Sequence, residues 1–543
     1  MKNNLLFSEI SFSFSLKPLI TLRRLFYSKP LLQLTIVFML LSIVAFTYWY
    51  LNDMNLLYPD SRSHLNIARR VIDNLKPGIA QLGSVWLPLP HVLMLPTIWS
   101  DFMWHSGLSG AIISMTSYVI TGLIIFKSLR KLDVSMWASV IGAFVFALNI
   151  NVLYLQSTSM TELLLICVMS AAVYRLVDWF KADNLAYLIQ AAFFIFLSTL
   201  IRYDGWFLFM IALALISFKT LYKKGYKTME GTFILFSTLA GFGIILWFLW
   251  NLAIYNDPLF FALGPYSARS QQKVIEEAGM LFTKGNVYLS FKTYIYAIVY
   301  NTNLLTGLFG FLGSIVFWLD KKITTNVKIG YIAILSPLVF NIMSLFFGHS
   351  VINVNEQTSG WFNIRYGLMM MPACAIFTGF LFDRLYSIRN VLIGLWLFVL
   401  VFSYLNLEAV TLEDAESGMI GFNEELIVAS EELGRLTKNK EGLILISTAK
   451  HDPLIFSSKL PLTRFIHEGT SLYWENSLAR PERWARWLVF IPNDMSDAVF
   501  KGLTKADYKE KYNLIRDFNT VDIYELKPEY YKDLNKERLI QSK

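Results

Sequence analysis

Cysteine is nearly absent from this chain, and charged residues are scarce. Only two cysteines occur among 543 residues, Cys167 and Cys374, and both lie inside apolar runs, so a disulfide framework is not indicated. Charged residues make up 16% of the chain and hydrophobic residues 55%, which is outside the range of ordinary soluble domains. This composition excludes a soluble globular enzyme.

Several local signals are also missing. The N-terminus has no short apolar segment followed by a small-residue cleavage site, so the first apolar run is predicted to be a retained anchor. No glycine-rich phosphate loop follows the first strand predicted near the C-terminus, where the sequence is ISTAKHD. The net charge of +8 comes from short basic clusters between apolar segments. That placement is typical of membrane orientation and not of nucleic-acid binding.

Apolar runs of membrane-spanning length predict about eleven transmembrane helices. They fall near residues 32–51, 108–126, 135–152, 160–178, 185–201, 204–219, 231–253, 303–319, 329–348, 364–382 and 390–407. With residues 1–31 in the cytoplasm, the dense basic clusters flanking the spans share one face. These clusters are Arg23, Arg24 and Lys29; Lys127, Arg130 and Lys131; Lys219, Lys223, Lys224 and Lys227; and Lys321, Lys322 and Lys328. We therefore expect a multi-pass plasma-membrane protein with a transmembrane domain at 32–407 and outer loops at 52–107 and 254–302.

The first outer loop contains an apolar segment with three prolines and, before it, an amphipathic segment. The segment 86–104, WLPLPHVLMLPTIWSDFMW, is apolar enough to span, but three prolines interrupt its helical hydrogen bonds. We predict a broken helix at the outer interface, because a full span would move the later basic clusters to the outside. Earlier in the loop, apolar residues recur at helical spacing between Leu65 and Leu75, which predicts an amphipathic helix on the membrane surface.

The region 408–543 has no further spanning run and is predicted to be a small extracytoplasmic α/β domain. A helix is expected at 423–437. Short β-rich runs follow it at 443–448, 464–468, 487–491, 513–518 and 521–526.

Ionisable residues at the ends of spans are candidates for function, because charge is expensive in the membrane. On this topology a set of them shares the outer face. They are Asp60, Arg62, His64, His91, Glu162, Arg202, Asp204, Tyr266, Arg269, Arg365 and Tyr366. The other ends of the spans carry basic clusters with no comparable gathering of acids, arginines and aromatics.

The order of these motifs resembles the GT-C class of glycosyltransferases, in particular the protein mannosyltransferase and aminoarabinose transferase branch (glycosyltransferase family 39). The matching motifs are YPDSRSHLNIARRV, WLPLPHVLMLP, TE, IRYDG, YNDPLFF and RY, within residues 32–407. The resemblance implies a polytopic enzyme that takes a sugar from a polyprenyl phosphate at the outer face. It implies a glycan, lipid or protein acceptor and an inverting single displacement.

The chemistry assigns roles to these candidates. Transfer to an acceptor hydroxyl needs a general base, and we expect Asp60 to be that base, with Glu162 as a second acid. Arg365, Arg202 and Arg269 are candidates to hold the departing phosphate, because guanidinium groups are permanently charged and forked. The class commonly has a pair of acids in the first loop, whereas Asp60 is followed by Ser61 and Arg62. No cofactor is expected with certainty, and a divalent metal is not indicated.

Structural explanations compete with each of these roles. Asp60 can be a helix N-cap, Glu162 can pair with Arg202, Arg202 with Asp204 in a tight turn, and Arg365 can extend to the lipid headgroups. His64 and His91 are more typical of interface histidines bonded to backbone than of metal ligands. For the whole protein, the alternatives are a transporter or flippase and a noncatalytic scaffold whose tail binds a surface polymer.

Overall fold

The computed structural model describes residues 29–264, 267–277, 279, 281–417, 423–504, 508–519 and 521–535. Helices form nearly all of the part before residue 418. They are α1 (Pro30–Leu51), α2 (Pro59–Arg70), α3 (Leu89–Met94), α4 (Asp101–His105), α5 (Leu108–Lys131), α6 (Met136–Ala147), α7 (Ile150–Leu155), α8 (Glu162–Ala182), α9 (Leu185–Thr199), α10 (Asp204–Lys224), α11 (Tyr226–Tyr255), α12 (Phe260–Leu263), α13 (Ala268–Glu277), α14 (Val287–Thr302), α15 (Leu304–Leu319), α16 (Thr325–Ile332), α17 (Ser336–Phe346), α18 (Met371–Arg384), α19 (Arg389–Leu405) and α20 (Val410–Ser417). A 3₁₀ segment, Ile364–Met370, leads into α18.

The protein is an α-helical polytopic membrane protein. Among the described residues, eight helical segments are long and apolar enough to cross a membrane, or nine if the pair α14 and α15, bent by 111°, counts as one span. Two shorter apolar helices, α6 and α9, coincide with the remaining predicted spans. The broken helix predicted at 86–104 is present as the two short helices α3 and α4.

The bundle has a buried centre and a lipid-exposed periphery. In the apolar window of Ile364–Arg384, 94% of the residues are buried, whereas in the apolar window of Arg389–Ser417 only 11% are. Close helix contacts depend on small residues: a Cβ at Gly313 of α15 would lie 2.0 Å from the carbonyl oxygen of Phe377 in α18. This packing holds the ends of the central helices in fixed relative positions.

The amphipathic helix predicted in the first outer loop is α2, but it ends at Arg70, before the predicted Leu75, and its predicted place on a membrane surface is wrong. Nine of its residues are buried, because one side packs on the helical bundle and the other on the C-terminal domain. Leu65 and Ala68 join the same apolar cluster as Leu426 and Ile444 of that domain. The helix is therefore enclosed between the two parts of the protein.

The C-terminal region forms the expected α/β domain. Helix α21 (Asn423–Thr437) precedes strands β1 (Leu443–Ile446), β2 (Phe465–Ile466), β3 (Ala485–Phe490), β4 (Tyr512–Asp517) and β5 (Asp522–Leu526), with helices α22 (Thr448–Ser457), α23 (Leu472–Ala479), α24 (Ala498–Leu503) and α25 (Tyr508–Lys511) between them. The sheet order is β2-β1-β3-β5-β4. Strand β1 is parallel to β2 and β3, whereas β5 is antiparallel to β3 and β4.

A buried ion pair holds this domain on α2. The two terminal guanidinium nitrogens of Arg70 donate to the Asp452 carboxylate, at 2.9 and 3.2 Å, and the Asn66 amide also donates to it, at 2.9 Å. Burial raises the pKa of Asp452 despite the neighbouring Arg70. Because α2 also carries Asp60, the C-terminal domain is attached directly to the helix that holds the predicted base.

Candidate active site at one end of the bundle

Three carboxylates lie in the first turns of three different helices. Asp60 is in the first turn of α2, Glu162 begins α8 and Asp204 begins α10. Negative charge is stabilised at a helix N-terminus by the helix dipole. The N-cap of α2 is Tyr58, with no side-chain cap, so the N-cap explanation for Asp60 is wrong.

Arg365 joins these helices. Its guanidinium group lies 2.9 Å from Asp60 Oδ2, 3.2 Å from Glu162 Oε1 and 3.6 Å from Asp414 Oδ2. The Arg365 side chain is only 5% exposed, so the alternative in which it extends to lipid headgroups is wrong. One buried cation thus holds acids from three elements that are distant in sequence.

Arg202 forms the second centre of the cluster. It contacts Glu162 Oε1 at 3.0 Å and Asp204 Oδ2 at 3.3 Å. Both ion pairs considered from the sequence, Glu162 with Arg202 and Arg202 with Asp204, are therefore present. Its guanidinium carbon lies 4.8 Å from the centre of the Tyr366 ring. The turn that carries these residues is tight, because a Cβ at Gly205 would lie 2.2 Å from the carbonyl oxygen of Ser198.

Asp414 was not identified from the sequence. It lies in α20, in an ordinary polar stretch after the last predicted span, and no local pattern distinguishes it. In the structure it is buried and accepts a hydrogen bond from the Tyr58 hydroxyl at 3.0 Å. Burial raises the pKa of Tyr58 well above its ordinary value, so the phenol keeps its proton, which the Thr411 carbonyl oxygen at 2.7 Å and Asp414 share as acceptors.

Exposure separates one carboxylate from the rest. The Asp60 side chain is 44% exposed, compared with 0% for Glu162, 2% for Asp414 and 7% for Asp204. Four carboxylates face two guanidinium groups, which is a formal charge of two negative. Three helix N-termini contribute roughly half a positive charge each, so the cluster is close to neutral with its only accessible acid at the surface.

His64 and His91 form a buried pair beside this cluster. His64 Nδ1 lies 2.9 Å from His91 Nε2, and the Trp86 ring lies 4.4 Å from the His64 ring, centre to centre. Burial lowers the pKa of His64 to about 4 and that of His91 well below its ordinary value, so both rings are neutral at physiological pH. They bond to each other, and the expectation that backbone groups satisfy them is wrong.

The remaining predicted residues have different positions. Arg62 donates to the Leu56 carbonyl at 3.0 Å and to Ser457 of the C-terminal domain at 3.3 Å, so it joins the two domains. Arg269 is exposed on α13, and no contact among the described residues links it to the cluster. Tyr266 lies outside the described residues. Within the described ranges, no group of three or more His, Cys, Asp or Glu side chains is arranged to hold a metal ion.

The opposite end of the bundle is basic, as the sequence predicts. Contacts there join the far ends of α8 and α10 to other helices, including Lys131 of α5 to Asp178 at 2.6 Å and Lys223 to Asn326 of α16 at 2.9 Å. Glu162 and Lys181 occupy the two ends of α8, about 29 Å apart along its axis. The acid and arginine cluster is therefore confined to one end.

Comparison with solved structures identifies the fold. The structure of ArnT from Cupriavidus metallidurans bound to undecaprenyl phosphate has a TM-score of 0.56, 11% identity, and coverage of 91% of this chain and 98% of the ArnT chain. Its apo structure has a TM-score of 0.52 with 12% identity, covering 89% and 97%. An Archaeoglobus fulgidus oligosaccharyltransferase has a TM-score of 0.46, 12% identity and coverage of 84% and 67%. No protein-family model matches the chain, and no curated protein matches it by sequence. The chain has the GT-C fold, which confirms the predicted resemblance.

Proposed function

From the GT-C fold and the cluster around Arg365, we propose that this protein is an inverting glycosyltransferase. It moves a sugar from a polyprenyl-phosphate carrier to an acceptor hydroxyl, at the outer face of the plasma membrane. The ArnT structure with the same fold was solved with undecaprenyl phosphate bound, which supports a carrier of this chemical class. On this proposal the N-terminus is cytoplasmic and the C-terminal domain extracytoplasmic.

The observation that carries the proposal is the accessible carboxylate of Asp60, held by a buried cation. A general base must reach the acceptor hydroxyl and must be fixed in position when the hydroxyl attacks the anomeric carbon. Asp60 meets both conditions, because its side chain is 44% exposed and its Oδ2 is 2.9 Å from Arg365. Glu162, expected as a second acid, is fully buried, so we assign it to holding both arginines and not to the proton transfer.

The same geometry divides the two arginines by role. Arg365 is enclosed by three carboxylates and is 5% exposed, whereas Arg202 is 18% exposed. We therefore assign Arg365 to positioning Asp60, and Arg202 to the phosphate of the leaving carrier, where a permanent cation and forked donors stabilise the developing charge. The Tyr366 ring lies against both guanidinium groups and keeps their planes in place.

A transporter is less consistent with this arrangement. Transporter sites lie near the middle of the membrane, at broken helices between repeats. Here the acids and arginines lie at helix ends, with Glu162 at the first residue of α8 and Asp204 at the first residue of α10. An acceptor that approaches the end of the bundle meets Asp60 directly.

Asp60→Asn tests the proposal, with Asp53→Asn as the matched control. Asp53 is exposed at the end of α1, in a left-handed backbone conformation that asparagine also adopts readily. Purified full-length variants are assayed for transfer from polyprenyl phosphates that carry hexoses, N-acetylhexosamines or pentoses. We expect Asp60→Asn to lower kcat by about 10²- to 10⁴-fold, the usual contribution of a general base, and Asp53→Asn to retain activity. Undiminished turnover in Asp60→Asn would remove Asp60 as the base.

A further inference from the structure

A groove on the flank of the bundle is separate from the cluster. It has a volume of about 560 Å³ and lies between α5, α8 and the neighbouring helices α3 and α9. Its walls are mostly aliphatic. Leucine, isoleucine, valine and alanine side chains make up most of the lining.

The groove follows the helix axes for most of their length. On α5, Ile112, Ile120 and Lys127 all line it, and these positions fall on one face of the helix. The distance from Ile112 to Lys127 is about 22 Å at 1.5 Å per residue. That exceeds one leaflet of a hydrocarbon core about 30 Å thick, so the groove is long enough for a complete acyl chain.

Two cations lie at one end of this apolar surface. Lys127 is exposed and has no ion pair within the described parts of the chain. Arg175 is 36% exposed and has a long contact of 3.4 Å to Asp178, whose carboxylate is held more closely by Lys131, at 2.6 Å. Positive charge beside an apolar groove is complementary to an anionic headgroup with an attached acyl chain.

We propose that this groove binds one acyl chain of an anionic glycerophospholipid, with the phosphate between Lys127 and Arg175. The two cations are not placed for the phosphate of the sugar donor. Arg175 is 13 residues after Glu162 on α8, so the two lie about 20 Å apart along the axis. A donor with its phosphate at Arg202 would place that phosphate at the wrong end of the groove. The phosphate bound by Lys127 and Arg175 is therefore not that of the donor.

Native mass spectrometry of the full chain tests this site. The protein is released from nanodiscs of phosphatidylglycerol, phosphatidylcholine, or phosphatidylcholine with undecaprenyl phosphate, and bound lipid is counted. We expect one retained phosphatidylglycerol. A basic residue near an anionic lipid contributes about fivefold in affinity, so Lys127→Gln with Arg175→Gln lowers retention by roughly 25-fold. The matched control, Lys321→Gln with Lys322→Gln, removes two exposed charges at the same end of the bundle and leaves retention unchanged.

A steric variant tests the groove independently of charge. Ile120 lines it and is 43% exposed, so Ile120→Trp fills the groove without displacing buried neighbours. We expect this variant to lose the retained lipid while both cations remain. Equal retention of phosphatidylcholine, retention that survives both sets of substitutions, or retention of undecaprenyl phosphate alone would each overturn the proposal.

Discussion

Removal of Arg365 should destabilise the protein by several kilocalories per mole. In Arg365→Met, Asp414 loses its only ion pair among the described residues, while Glu162 keeps Arg202. Because Asp414 is 2% exposed and burial already raises its pKa, it must then either stay charged without a cation or take up a proton. Breaking a buried pair in this way costs about 3 to 5 kcal/mol. Asp60 also loses the contact that positions it, so we expect transfer activity to fall together with stability.

Two further variants separate the charge effect from lost packing. Adding Asp414→Asn to Arg365→Met removes the uncompensated charge, and we expect it to recover about 1 to 3 kcal/mol through coupling between contacting residues. Arg269→Met is the control, because Arg269 is exposed and a surface change of this kind stays within about 0.5 kcal/mol. The free energy of unfolding is measured by denaturation in mixed micelles. If Arg365→Met were as stable as the parent, or if the double variant showed no recovery, the electrostatic account would be refuted.

Low pH, loss of one ion pair and one added Cβ should each destabilise the protein. Burial lowers the pKa of His64 to about 4 in the folded protein, whereas a histidine in the unfolded chain has a pKa near 6.5. The unfolded state therefore takes up protons first, and stability should fall as the pH drops from about 6.5 to 4. Unfolding measured at each pH should show a less steep fall in His64→Asn. Asp452→Asn leaves Arg70 buried without its counter-ion, so we expect the C-terminal domain to detach more readily, by about 3 kcal/mol. Limited proteolysis should then release the domain faster, and an unchanged cleavage rate would contradict this. Gly205→Ala should lower thermal stability and transfer activity because the new Cβ meets backbone at 2.2 Å, whereas Gly394→Ala, with nothing within 4 Å, should be neutral or slightly stabilising; equal effects of the two substitutions would argue against a tight turn.

The spans and the C-terminal elements could be predicted from local pattern. A helix in lipid must satisfy its own backbone, so a long apolar run has few alternatives. The helix expected at 423–437 is observed as Asn423–Thr437, and each predicted β-rich run contains or overlaps a strand. These features depend on residues that are close in sequence.

The site was only partly predictable. Asp60, Glu162, Arg202 and Arg365 could be identified because charge at a span end is expensive. Their division into one accessible acid and a buried supporting set could not. Asp414 is the clearest case, because it belongs to the site only through its contact with Arg365, 49 positions earlier in the chain.

Arg62 shows that closeness in sequence does not fix what a side chain contacts. It follows Asp60 by two residues, but successive residues of a helix point in different directions, and Arg62 contacts Ser457 of the C-terminal domain. The amphipathic pattern of α2 was likewise interpreted as a membrane-facing surface, when a folded domain covers it. An apolar stripe indicates burial but does not identify the partner.

The sequence by itself determined that this is a multi-pass helical protein with an α/β tail and with its scarce charges at helix ends, because burial of apolar surface and the cost of intramembrane charge act locally. Only the tertiary structure decided which acids share Arg365, which of the four carboxylates is exposed, and that the tail is attached to the helix of Asp60. Those outcomes depend on contacts between segments hundreds of residues apart, and no local pattern specifies them.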